Sequence, residues 1–144
     1  MGLQDSRAVP VSTTSRAALD RYEAAVDRLH SYFRDPLAEI EAALAEDPGF
    51  VMGHCLRGTL MALATERAAE APLRESVEAA EALAAGANER ERGHIAAIGF
   101  HPIARLDRDQ RRRHDFALHP ERRQLPIQHV ASWTCLIAGP QSLD

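Results

Sequence analysis

The stretch ALAEDPGFVMGHCLRGTL, residues 43–60, decides the reading of this chain. It opens on the small-residue end of one helix. Asp47-Pro48-Gly49 then breaks that helix, because the residue before a proline is pushed out of the α region. A second helix follows at once, carrying Gly53 and Gly58 inside a hydrophobic pattern. Two helices joined by so short a break must fold back on each other. The rest of the chain reads as further helices stacked on this pair.

Upstream of the corner, Leu37, Ile40 and Leu44 form the inward stripe of a helix over about 36–46. Asp35 is its cap candidate, and Pro36 suits the first helical position. Earlier still, Leu19, Tyr22, Val26, Leu29 and Phe33 recur at spacings of 3, 4, 3 and 4, which places them on one helical face. They predict a helix over about 15–33, with Asp20, Glu23, Asp27 and Arg28 on its outer face. Ser12, Thr13, Thr14 and Ser15 supply cap candidates. Residues 1–14, polar and interrupted by Pro10, read as an extended N-terminal arm.

Downstream, the helix at about 50–66 places Met52, Leu56, Leu60 and Leu63 on one face. Gly53 and Gly58 each cost about 1 kcal/mol relative to alanine inside a helix. Close approach of a neighbouring helix is the physical reason to accept that cost. Residues 68–71 form a link, and Pro72 can open a fourth helix with Leu73, Val77, Ala80 and Ala84 inward and Leu83 beside them. Gly86 is placed to end it. Asn88 and Glu91 then make an N-x-x-E variant of a capping box before a fifth helix over about 89–98, whose Ile95 and Ile98 point inward. After Gly99 the pattern degrades. Pro102, Pro120, Pro126 and Pro140 interrupt it, and helices over about 103–118 and 124–138 are poorly patterned.

The whole is an all-α expectation of about five to seven helices, in antiparallel pairs stacked as an α-solenoid. It divides into an arm (1–14), a helical-repeat domain (15–98) and a degenerate or poorly ordered continuation of the repeat (99–144). At 144 residues the chain is long enough for one domain with a core. Aromatic residues make up only 5%, and alanine is the commonest residue, which suits helices packed closely through small side chains.

The net charge of −4 argues against broad electrostatic binding of nucleic acid or an anionic membrane. All the basic residues are arginine. Arg105, Arg108, Arg111–Arg113, Arg122 and Arg123 concentrate in the last third, where only Phe116 and Trp133 offer aromatic neighbours. Stacking recognition of single strands would want more, and a solvated basic segment is the default. Cys55 and Cys135 make neither a disulfide framework nor a zinc pattern, so reduced thiols in a cytoplasmic protein are expected. No apolar run approaches the ~20 residues of a membrane span. The N-terminal MGLQDSRAVPVS lacks the apolar core of a secretory signal. Its Met1-Gly2 with Ser6 matches a myristoylation pattern only superficially, because no basic cluster follows.

Three stretches carry a family resemblance: VPVSTTS at 9–15, AEDPGFVMGH at 45–54 and NERERGHIAAI at 88–98. In that order they resemble the tetratricopeptide repeat protein 38 family over roughly residues 5–98. The corner at 43–60 then looks like the inter-helix turn of a tetratricopeptide-type repeat. ALHPERRQLPIQHVA at 117–131 looks like a degraded next corner. Between them FHPIARLDRDQRRRHD stands where the family has a patterned helix. The resemblance implies that this chain is the N-terminal part of a longer repeat protein, cut short or frame-shifted near residue 100. It also implies a helical interaction scaffold, and it brings no reaction, cofactor or catalytic residue.

Seven histidines invite a metal or catalytic reading, but none lies in H-x-x-x-H or HExxH spacing. His54 and Cys55 are adjacent, so on a helix they project about 100° apart and chelate poorly. His54 and His94 each follow a glycine, Gly53 and Gly93, at corresponding places in successive helix pairs. They are expected either as polar groups at helix packing surfaces or as two sides of one groove. Neither cysteine sits in a motif that activates a nucleophile.

The expected function is therefore non-enzymatic: a scaffold binding a protein or peptide partner, with no cofactor and no metal. Arg57, His54, His94 and Arg90 are the candidate partner-binding residues, since they are polar and lie on or beside the inner helices. Arginine holds a partner carboxylate bidentately. The alternative is a fragment of a larger ligand- or metal-binding, enzyme-like repeat protein with a polar groove near His54 and His94. An uncapped C-terminal repeat would also offer a surface for self-association.

Overall fold

The structure, a computed structural model, describes residues 3–32 and 34–105. Among them every named element is helical: α1 (Arg16–Ser31), α2 (Leu37–Glu46), α3 (Val51–Ala64), α4 (Glu70–Ala82), α5 (Glu89–Gly99) and α6 (Pro102–Arg105). Short 3-10 turns at Arg67–Ala69 and Ala84–Gly86 precede and follow α4. No helix among the described residues is long and apolar enough to cross a membrane. The expected helix over 103–118 is described only in its first turn. The expected helix over 124–138, Phe33, Cys135 and the Arg111–Arg113 run lie outside the described residues.

The local signals act as their chemistry requires. Ser15 caps α1, its hydroxyl accepting the Ala18 N–H at 3.2 Å. Leu19, Tyr22 and Val26 are buried with Ala18 and Ala25, and Leu29 packs partly buried against the same cluster. Tyr32 ends α1 in the left-handed region (φ 53) and is exposed. Asp35 opens α2 by accepting the Leu37 N–H at 2.8 Å, while Pro36 already has helical angles.

At the corner Asp47 has two roles. One carboxylate oxygen accepts the Gly49 N–H at 2.9 Å and so sets the turn, and the other accepts the Thr13 hydroxyl at 2.6 Å and ties in the N-terminal segment. Phe50 follows, fully buried, with its ring edge-on to Tyr22 at a centroid distance of 5.3 Å and 68° between planes. Such edge-to-face pairs are worth about 0.5–1.5 kcal/mol beyond the area they bury.

α1 packs along α2 and α3 packs along α4. Each pair is joined by a link of a few residues, so its two helices run in opposite senses. α3 is the central element. It contacts α2, α4 and α5, and it is buried on more than the single stripe its leucines suggest. Met52 and Leu56 face the cluster shared with α1 and α2. On another side, a Cβ on Gly58 would lie 3.4 Å from Ser76 Cβ and 3.5 Å from Ile98 Cδ1, so here α3 meets α4 and α5. A Cβ on Gly53 would come within 2.8 Å of Leu44 Cδ2. Both glycines thus mark close approaches, to different neighbours. Leu63 departs from the expected stripe. It is 43% exposed, and its neighbours Ala64 and Thr65 at the end of α3 are exposed too.

Two further differences concern ends. α4 stops at Ala82, and Gly86 closes the following 3-10 turn without a left-handed backbone. Residues 3–12, read as an extended arm, double back instead. Gln4 and Pro10 form an antiparallel bridge, Ala8 turns the chain with φ 59, and Val11 N–H reaches Leu3 O at 3.0 Å. Asp5 drives this turn, its Oδ1 accepting the N–H groups of Arg7 and Val9 at 3.0 and 2.9 Å. Val11 is buried in the main core cluster.

Candidate functional site

A connected polar arrangement lies where this doubled-back segment meets the start of α5. Asn88 and Glu91 form the capping box expected from N-x-x-E: Asn88 Oδ1 accepts the Glu91 N–H at 2.9 Å, and Glu91 Oε2 accepts the Asn88 N–H at 3.0 Å. Both side chains have a second use. Asn88 Nδ2 donates to the Pro10 carbonyl at 3.0 Å, and Glu91 Oε1 accepts the Ser12 N–H at 2.8 Å. The two side chains therefore hold the main chain on either side of Val11, whose own side chain enters the core. Glu91 is fully buried, and a buried carboxylate needs such partners.

Around this clamp the charges are ordered. Asp5 is buried, with Arg7 Nη2 at 3.1 Å and Arg90 Nη1 at 3.7 Å from its Oδ2. Ser6 N–H is held by the Glu23 carboxylate of α1. Desolvation pushes the Tyr22 hydroxyl up to about 12, against the opposing pull of Arg90 and Arg7. Burial, then the Arg90 and Arg7 charges, bring His94 down to about 4, so it is neutral at physiological pH. Burial, helped by the Glu91 carboxylate, pushes the Cys55 thiol up to about 12, which makes it a poor nucleophile.

The four candidate residues divide in two. Arg90 and His94 lie one turn apart on α5 and belong to this cluster. Arg57 does not. It sits 17% exposed between α2, α3 and α4, with Nε on Glu41 Oε1 at 2.6 Å, Nη1 on Pro72 O and Ser76 Oγ at 3.0 and 2.9 Å, and Nη2 3.7 Å from Glu75. An arginine expected to wait for a partner's carboxylate is already committed within the fold, because α2 and α4 bring acceptors to it from both sides. His54 is likewise engaged, its Nε2 lying 2.8 Å from the Pro48 carbonyl at the corner. Among the described residues no group of three or more His, Cys, Asp or Glu side chains could hold a metal ion.

Asp5, Tyr22, Asn88 and Glu91 went unnoticed as site residues in the sequence. The N-x-x-E spacing announced a cap, but nothing in it announced that the cap's spare oxygen and amide would face a segment nearly eighty positions away. No family model, curated protein or solved structure matches the chain.

Proposed function

We propose that the protein is a non-enzymatic helical-repeat scaffold of the tetratricopeptide type that binds an extended protein or peptide segment. The observation that carries this proposal is the clamp at the start of α5, where Asn88 and Glu91 hold main-chain groups of residues 10 and 12. Main-chain recognition with a side chain seated between the contacts is how grooves take peptides in general. Support also comes from the paired packing of α1 with α2 and of α3 with α4, the unit from which solenoid surfaces are built. The resemblance of 9–15, 45–54 and 88–98 to the tetratricopeptide repeat protein 38 family points the same way. Recognition through Arg90 and the neutral His94 fits this function, whereas Arg57 and His54 contribute through the framework. A surface for self-association and a cytoplasmic location belong to the same proposal.

The test is an array of immobilised peptides in extended form, probed with the full chain. Saturable retention by a subset, abolished by Arg90→Ala with helicity intact, is the expected result. Uniform absence of retention, or turnover of a small molecule that depends on His94, would overturn the scaffold function.

A further inference from the structure

Residues 3–13 are attached to the bundle in an unusual way for a piece of core. Gln4, Ser6, Arg7, Ala8 and Pro10 are exposed. The attachment rests on the buried Asp5, Val11 and Thr13, on partly buried Leu3, on the two clamp bonds from Asn88 and Glu91, on the Thr13 hydroxyl donating to Asp47, and on Ser6 N–H held by Glu23. A charged anchor, a β-branched anchor and a short stretch of gripped main chain are the parts of a bound peptide.

The ionic anchor is imperfect. Asp5 directs its oxygens at its own loop, to the N–H groups of Arg7 and Val9 and to Arg7 Nη2. It therefore offers Arg90 only an ion pair at 3.7 Å, and Arg90 Nη1 is buried with no hydrogen-bond partner. A buried arginine nitrogen left in this state forgoes a charge-assisted bond, the strong kind. A carboxylate on a separate peptide, not tethered to α1 through residues 14 and 15, can make it. A tethered occupant gains a large effective concentration from its linkage, so only an imperfect one can be displaced by a partner in solution.

We propose that residues 3–13 are a displaceable internal ligand, and that the cleft they cover takes a peptide segment that carries a carboxylate. Its carboxylate binds Arg90, its main chain binds Asn88 and Glu91, and a β-branched side chain fills the Val11 position. This rests on the peptide-scaffold function above and specifies its partner and its regulation: the chain's own N-terminal segment competes with that partner.

The experiment uses the full chain and a fluorescent peptide with the sequence of residues 3–13. Anisotropy titration should show binding at least about tenfold tighter to Val11→Ser, whose own segment is loosened, than to wild type. Adding Arg90→Ala to Val11→Ser, or replacing the peptide's aspartate with asparagine, should abolish that gain. Equal binding by wild type and Val11→Ser, or a gain that survives loss of both charges, overturns the proposal. Hydrogen exchange on the wild-type chain guards against a variant that merely unfolds. The Val11 and Ser12 amides should exchange at least about a hundredfold faster than that of Leu56 in α3, through local opening. Exchange of all three at one rate means that the segment leaves only on global unfolding, and overturns the proposal. If these tests fail while the peptide array still retains sequences, the scaffold function stands and only the internal-ligand proposal falls.

Discussion

The Ser12 N–H and the Glu91 carboxylate meet at 2.8 Å across 79 positions of sequence. With the bond from Asn88 Nδ2 to the Pro10 carbonyl, this contact closes the N-terminal segment onto the start of α5. Glu91 at the same time completes its helix cap through the Asn88 N–H.

Glu91→Ala should therefore cost more than an ordinary cap. It leaves two N–H groups without their acceptor, and the expected loss is about 2–4 kcal/mol, against about 1 for a typical cap. Glu91→Gln keeps one carbonyl oxygen and should lose roughly half as much. Urea denaturation of the two variants gives the comparison, and equal losses would mean that only the charge matters.

Gly58 and Gly53 should answer differently to a methyl group. At Gly58 an added Cβ meets Ser76 and Ile98 at ordinary contact distance, so Gly58→Ala should stabilise by up to about 1 kcal/mol through helix propensity. Gly58→Leu should destabilise by about 1–3 kcal/mol through overpacking. At Gly53 the Cβ lies 2.8 Å from Leu44 Cδ2, and Leu44 must move, so Gly53→Ala should come out neutral or mildly destabilising. Melting temperatures of the three variants rank them, and a stabilised Gly58→Leu would refute close packing at that crossing.

Arg57→Ala should reduce stability, not merely recognition. Glu41 and Glu75 are well exposed, and their pairs with Arg57 are worth little. The bonds to Pro72 O and Ser76 Oγ are the ones whose loss matters, at about 1–2 kcal/mol. Arg57→Lys cannot reach these acceptors and the glutamates together and should recover only part. A melting temperature unchanged in Arg57→Ala would show that the strut is dispensable.

His94 should make the protein acid-sensitive. Its ordinary value of 6.5 applies to the unfolded chain, and burial beside Arg90 and Arg7 brings it to about 4 in the folded one. The unfolded state therefore takes up the proton first. The contribution of His94 is fully present above pH 6.5 and is lost as pH falls from 6.5 towards 4, to a total of about 2–3 kcal/mol. His94→Gln removes the titrating group, so stability should fall less over that window than in wild type. Parallel curves from guanidinium melts at pH 7, 5.5 and 4.5 would count against a buried neutral imidazole.

Most of what was legible beforehand is local. Ser15, Asp35-Pro36, Asp47-Pro48-Gly49 and Asn88-Glu91 act within four residues of themselves, through hydrogen bonds and backbone sterics that any chain context preserves. The first three helices and α5 accordingly start and stop within a residue or two of their expected bounds, whereas α4 ends at Ala82, ahead of the expected stop at Gly86. The stripe of α1 and the inward Ile95 and Ile98 were legible for a related reason, since helical periodicity places side chains by geometry alone.

The sequence by itself thus determined which segments are helical and which of their faces are apolar. The tertiary structure decided what each polar residue does there. Arg57 looked available because its own helix carries no acid to pair with it, and only the packing of α2 and α4 supplies Glu41, Pro72 and Ser76. Residues 3–12 looked extended because their polar sequence carries no helical period. Their turn depends on the Asp5 carboxylate, which accepts the Arg7 and Val9 N–H groups and lies against Arg90 of α5. The Asn88–Glu91 cap became a clamp only because α5 comes to lie beside residues 10–12. Long-range placement of this kind follows from the summed packing of the whole core, and no spacing within the chain encodes it.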